Sequence, residues 1–145
     1  MRIYSLGIWV LSVLVIGCGD GGQGVVVEDA WVRENIAPLE ITAGYLVVRN
    51  EGEATALVSA RTDVAGVTEL HVMVVQDDVM RMRKVDEIPV AGYGVTRLQP
   101  GGSHLMLIGL TRDLVVGEEI GLVLEFDNGQ TVEVKALVKE VGGHG

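Results

Sequence analysis

The run Glu69-Leu70-His71-Val72-Met73-Val74-Val75-Gln76, then Asp77-Asp78, then Val79-Met80-Arg81-Met82-Arg83-Lys84-Val85 decides the fold class. Two apolar, β-branched segments alternate with polar residues at a period of two, and two turn-forming residues separate them, which is the pattern of a β-hairpin. If Asp77 and Asp78 form a two-residue turn, Gln76 opposes Val79 and Met73 opposes Met82. Working outward, seven further segments share this character: Val25 to Arg33, Thr42 to Arg49, Ala54 to Ala60, Gly94 to Leu98, Ser103 to Ile108, Glu119 to Phe126 and Thr131 to Val138. Turn residues separate several of them, at Asn50-Glu51-Gly52, Gln99-Pro100-Gly101-Gly102 and Asp127-Asn128-Gly129. No long 3.6-residue periodicity interrupts the series, so the expected class is all-β, a sandwich or small barrel of eight or nine strands. The segment Val64 to Glu69 is ambiguous, and Thr111 to Gly117 reads as a loop rather than a turn of helix.

Composition agrees. The chain has 145 residues, enough for one domain with a substantial core, and 48% of them are hydrophobic, which argues against disorder. Twenty glycines against one phenylalanine point to a turn-rich fold. Eleven Lys and Arg against 20 Asp and Glu leave a net charge of −9, with no basic patch dense enough for nucleic acid. A single cysteine excludes an intrachain disulfide, a Cys-based zinc site and an iron–sulfur cluster built from this chain alone.

That cysteine has another use. Arg2 is followed by an apolar run from Leu6 to Ile16, too short to cross a bilayer core of about 30 Å as a helix, and this is the pattern of a signal peptide. The run ends Leu14-Val15-Ile16-Gly17-Cys18, which resembles the lipobox of bacterial lipoproteins, cut before a cysteine that is then acylated. The expected organisation is a leader at 1–17, a flexible Gly-rich tether at 18–24 after a lipidated Cys18, one β domain at 25–141 and a short tail at 142–145. The protein is then expected in the cell envelope, anchored to a membrane by lipid. Gly19 after the cysteine leaves out an inner-membrane retention aspartate and leans towards the outer membrane.

The chemistry-bearing residues cluster. Two of three histidines and all methionines but Met1 lie between His71 and Met106, as His71 with Met73, Met80 with Met82, and His104 with Met106. Members of each pair are two apart, so on a strand they project from one face. In the hairpin register above, His71 is diagonal to Met82 on that face, with Cα atoms about 7–8 Å apart. The direct neighbour of Met82 is Met73, so geometry alone leaves His71 and Met73 both open as donors. Bringing in the third pair needs a tertiary contact that alternation does not specify.

The spacing His71, ten residues, Met82, twenty-one residues, His104, one residue, Met106 resembles the H-x10-M-x21-H-x-M pattern of the periplasmic copper chaperones of the PCu(A)C family. Flanking words are similar too: Ala30-Trp31-Val32-Arg33, Gly44-Tyr45-Leu46, and Pro100-Gly101-Gly102-Ser103-His104-Leu105-Met106-Leu107. The likeness covers about Glu28 to Val138. It implies a cupredoxin-like Greek-key β-sandwich that binds one Cu(I) through His71, Met82, His104 and Met106, with Met73 and Met80 as packing near the site. It further implies a monomeric metallochaperone, not an enzyme, whose recipient is the copper-A centre of a cytochrome c oxidase, reached directly or through a Sco-type partner.

Inorganic chemistry supports such a donor set independently. Cu(I) is soft and suits thioether and imidazole, whereas Ca²⁺ and Mg²⁺ want clustered oxygens and zinc prefers thiolate or more imidazoles. A blue-copper electron carrier would need a thiolate, and Cys18 is committed to the anchor. No nucleophile with a matching base and no phosphate loop suggests an enzyme. Copper storage or tolerance, and a metal-free β-sandwich lipoprotein, are the alternatives. His144 lies in a glycine-rich stub from which little is expected.

Overall fold

The computed structural model describes residues 24–140 and 142. The leader, Cys18, His144 and all of the expected tether except Gly24 therefore lie outside the described residues. Ten strands follow in order: β1 (Val25–Arg33), β2 (Ile41–Asn50), β3 (Thr55–Arg61), β4 (Ala65–Gln76), β5 (Val79–Val85), β6 (Ile88–Val90), β7 (Gly94–Leu98), β8 (His104–Leu110), β9 (Glu119–Phe126) and β10 (Thr131–Lys139). No helix occurs among the described residues, so the domain is all-β as the alternation leads one to expect.

The strand count is ten rather than eight or nine. The additional strand, Ile88-Pro89-Val90, pairs with β3 through Ala56↔Pro89 and is the last strand in the sheet. Proline reads as a breaker in sequence, but at a sheet edge its missing N–H need not interrupt a ladder. The ambiguous segment before Glu69 is strand, because β4 already pairs with β8 from Ala65↔Leu110 onward.

Hydrogen bonding joins the strands in the order β5-β4-β8-β2-β1-β10-β9-β3-β6, with β7 on the second half of β2. The first half of β2 pairs with β8, Ile41↔Ile108 to Gly44↔Leu105. Long connections that insert β8 between β4 and β2, and set β10 parallel to β1, are of the Greek-key kind. The sheet rolls over on itself until β3 packs against β4. Enclosed inside are Val32, Leu46, Val48, Leu57, Leu105, Leu107, Leu122, Leu124 and Val138, all essentially without solvent contact. In β9 the alternation is plain: Ile120, Leu122, Leu124 and Phe126 point inward while Glu119 and Gly121 face water.

The β4–β5 hairpin has the expected register, from Gln76↔Val79 through Met73↔Met82 to Leu70↔Val85. Asp77 and Asp78 turn it with φ of 52° and 59°, the left-handed pair that a type I′ turn requires. Because aspartate occupies that region at a cost that glycine escapes, Asp78→Gly is expected to stabilise the domain by about 0.5–1 kcal/mol. Urea unfolding checks this; an unchanged or lower midpoint would show that the turn is unstrained.

Candidate metal centre

Strand alternation sorts β4 and β8 into two faces. Leu70 and Val72 on β4, and Leu105 and Leu107 on β8, belong to or pack against the core. His71, Met73, His104 and Met106 therefore project from the other side of the same sheet. The register places His71 directly opposite His104 and Glu69 directly opposite Met106. On the far side of β8, Met106 opposes the small Ala43 of β2. One strand out, Met82 of β5 faces Met73 and is diagonal to His71. The tertiary contact that alternation left unspecified is thus the antiparallel β4–β8 pairing.

The four expected positions differ in environment. His104 and Met106 are buried, at 5% and 8% exposure, although they lie outside the core. Met82 is 55% exposed on the edge strand β5. His104, Met106, Met82, Met73 and Met80 line one groove, whose rim includes Ile36, Leu39 and Ile41. His71 is not among the groove-lining residues; its ring packs on that of His104, with centroids 5.5 Å apart.

Both imidazoles are held by hydrogen bonds that distinguish their nitrogens. His104 Nδ1 lies 2.9 Å from the Gly102 carbonyl oxygen, which can only accept, so Nδ1 carries a proton and in the neutral ring Nε2 keeps a lone pair. His71 Nε2 lies 2.9 Å from Glu69 Oε2, and Glu69 Oε1 accepts from Lys84 Nζ at 3.0 Å. The hydrogen bond from His71, followed by that from Lys84, holds the Glu69 carboxyl below its usual range. An ionised carboxylate only accepts, so His71 Nε2 donates, and in the neutral ring Nδ1 has the lone pair. That Nδ1 is buried and has no hydrogen-bond partner. An orphaned lone pair on a ring packed against a second imidazole, with methionines on the same sheet face, fits a soft ion. Among the described residues, no group of three or more His, Cys, Asp or Glu side chains is placed to hold a metal, and the further donors on this face are the methionine sulfurs.

Aromatic residues back the site. Tyr45 lies 6.3 Å from the His104 ring and Trp31 lies 4.6 Å from Tyr45, between centroids. Arg33 sits over the Tyr45 ring and Lys139 over that of Trp31. Burial raises the Tyr45 phenol above its ordinary value, with the Arg33 charge opposing. The supporting roles of Tyr45, Glu69 and the Gly102 carbonyl were not expected from sequence. The available signal for Glu69 was its place two residues before His71, on the same strand face.

Fold and site together define an all-β domain with a histidine–methionine cluster on the outside of one sheet, and comparison with known proteins places it. The family model "Putative lipoprotein LpqE-like" matches residues 25–138. The chain is 34% identical over 127 residues to the lipoprotein-named Lxx21020 of Leifsonia xyli subsp. xyli, covering 86% of this chain and 75% of that one. Among solved structures, CuI-DR1885 from Deinococcus radiodurans is similar with a TM-score of 0.62 at 32% identity, covering 79% of this chain and 76% of that one. The copper-bound PCuAC domain from PmoF2 shares the fold, with a TM-score of 0.70 at 20% identity over 83% of this chain and 95% of that one. The chain belongs to the LpqE-like family, and its domain has the fold of the PCuAC domains.

Proposed function

We propose that the protein is a cell-envelope copper chaperone that binds one Cu(I) through His71, Met82, His104 and Met106 and passes it to another protein. The observation that carries this reading is the direct pairing of His71 with His104, rings 5.5 Å apart, with a buried unpartnered Nδ1 on His71 and Met106 two residues beyond His104. Support comes from two similar structures, the copper-bound domain from PmoF2 and CuI-DR1885.

The four donors are neutral when they ligate, so they leave the charge of the ion uncompensated and favour the monovalent state. Met82, half exposed on an unpaired edge, is the donor that an incoming ligand meets first, so exchange onto a recipient begins there. Ile36, Leu39 and Ile41 give the groove an exposed apolar rim on which a recipient can pack. Anchoring at Cys18, after cleavage of 1–17, accords with the lipoprotein names of the family and of the Leifsonia relative. We infer the copper-A site of a cytochrome c oxidase, directly or through a Sco-type thioredoxin-like protein, as the recipient; the support is the likeness of the ligand spacing to the PCu(A)C pattern.

The test is a Cu(I) titration under reducing conditions against a chromophoric chelator, wild type beside Met82→Leu. One equivalent is expected to bind the wild type, and Met82→Leu, which keeps volume and loses the sulfur, is expected to weaken it by about tenfold or more. Equal affinity for the two proteins would remove Met82 from the site, and absence of stoichiometric binding to the wild type would defeat the reading as a whole.

A further inference from the structure

Resting on that reading, the hydrogen bonds around the two imidazoles carry a second conclusion. We propose that Glu69 is a positioning residue that commits His71 to bind Cu(I) through Nδ1, while the Gly102 carbonyl commits His104 to bind through Nε2, so that the pair meets the ion through unlike nitrogens.

Three features of the site converge on this. Each ring has one nitrogen engaged by a group that can only accept, Glu69 Oε2 for His71 and the Gly102 carbonyl for His104, both at 2.9 Å. The remaining nitrogen of His71 is buried and without a partner, as a nitrogen reserved for an ion would be before loading. Glu69 is itself fixed from the other side by Lys84, whose Cα is the β5 partner of His71, so the carboxylate is clamped between strand neighbours.

The register draws the two rings in opposite directions along antiparallel strands. His71 and His104 lie on directly opposed positions of antiparallel strands, and their rings are tilted by 50° to one another. Glu69 precedes His71 by two residues on one strand face, and Gly102 precedes His104 by two residues, so each ring is drawn back along its own chain. Outer hydrogen-bond partners of this kind orient a metal-ligating histidine and fix its tautomer.

The experiment is two-dimensional ¹⁵N–¹H NMR of the histidine rings above neutral pH, with and without one equivalent of Cu(I), on wild type, Glu69→Ala and Glu69→Gln. In the copper-free wild type, His71 is expected as the Nε2–H tautomer and His104 as the Nδ1–H tautomer. Copper is expected to shift Nδ1 of His71 and Nε2 of His104. Glu69→Ala should release His71 into mixed tautomers, leave His104 unchanged and lower Cu(I) affinity about 10–100-fold, while Glu69→Gln, whose amide oxygen still accepts, restores the tautomer and part of the affinity. Coordination of both rings through Nε2, or a Glu69→Ala protein with wild-type tautomer and affinity, would overturn the assignment while leaving the copper reading intact. A Cu(I) addition that perturbs neither ring would instead remove the ligand set, and this assignment with it.

Discussion

His104→Ala is expected to lower Cu(I) affinity by more than about 100-fold while the domain stays folded. The bound follows from comparison with outer partners: removing a group that only orients a ligand costs about 10–100-fold, and losing a buried central nitrogen donor costs more than that and more than losing the exposed Met82 sulfur. His104 is also the least replaceable of the four. It is the centre of the cluster, paired across the sheet with His71, followed two residues later by Met106 and backed by the Tyr45 ring. At 5% exposure its place is closed to a solvent ligand that would substitute for the lost nitrogen. The structural cost is small by contrast, one hydrogen bond to the Gly102 carbonyl and a partly filled outer depression, or about 1 kcal/mol. A chelator competition measures the first effect and circular dichroism with urea the second. An affinity within tenfold of wild type would show that copper is held elsewhere.

Leu105→Ala should do the reverse. Leu105 follows His104 on β8, points to the opposite face and is fully buried in the core. Large-to-small replacement at such a site costs about 2–5 kcal/mol, because the removed methyl groups leave a cavity that the surrounding strands cannot close. For a domain of this size that is a fall in Tm of roughly 10 °C or more. Under conditions where the variant is still folded, Cu(I) affinity is expected to stay close to wild type, because His104 and Met106 keep the other side of the strand. Urea unfolding and the same chelator titration separate the two readouts. A loss below 1 kcal/mol would contradict the sidedness of β8.

These two expectations show where sequence reasoning succeeded and where it stopped. Alternation was sufficient for the β4–β5 hairpin, because a two-residue turn leaves only one register that keeps Leu70 and Val72 inside; Met73↔Met82 follows from it. It was insufficient for the β4–β8 pairing, which joins residues more than thirty positions apart and depends on a connection passing through β5, β6 and β7. Only the PCu(A)C-like spacing supplied that contact in advance. Strand β6 was missed because Pro89 interrupts the local pattern, and a sheet edge tolerates it for a reason that is tertiary. Glu69 was missed because a carboxylate on an exposed-looking strand position reads as solvated until the ring of His71 and the ammonium of Lys84 are seen to hold it.

The ligand cluster shares a sheet with the core and none of its volume. In small metalloproteins whose metal sits inside the fold, releasing the ion means losing the structure. Here the contiguous core cluster of twenty described residues includes neither histidine nor methionine, and His104 and Met106 are buried on the other face of the sheet, so the packing of that cluster does not run through the groove. If the protein carries copper as proposed, a delivered ion would leave behind a scaffold already shaped to accept the next one, and one polypeptide could make repeated rounds without being remade.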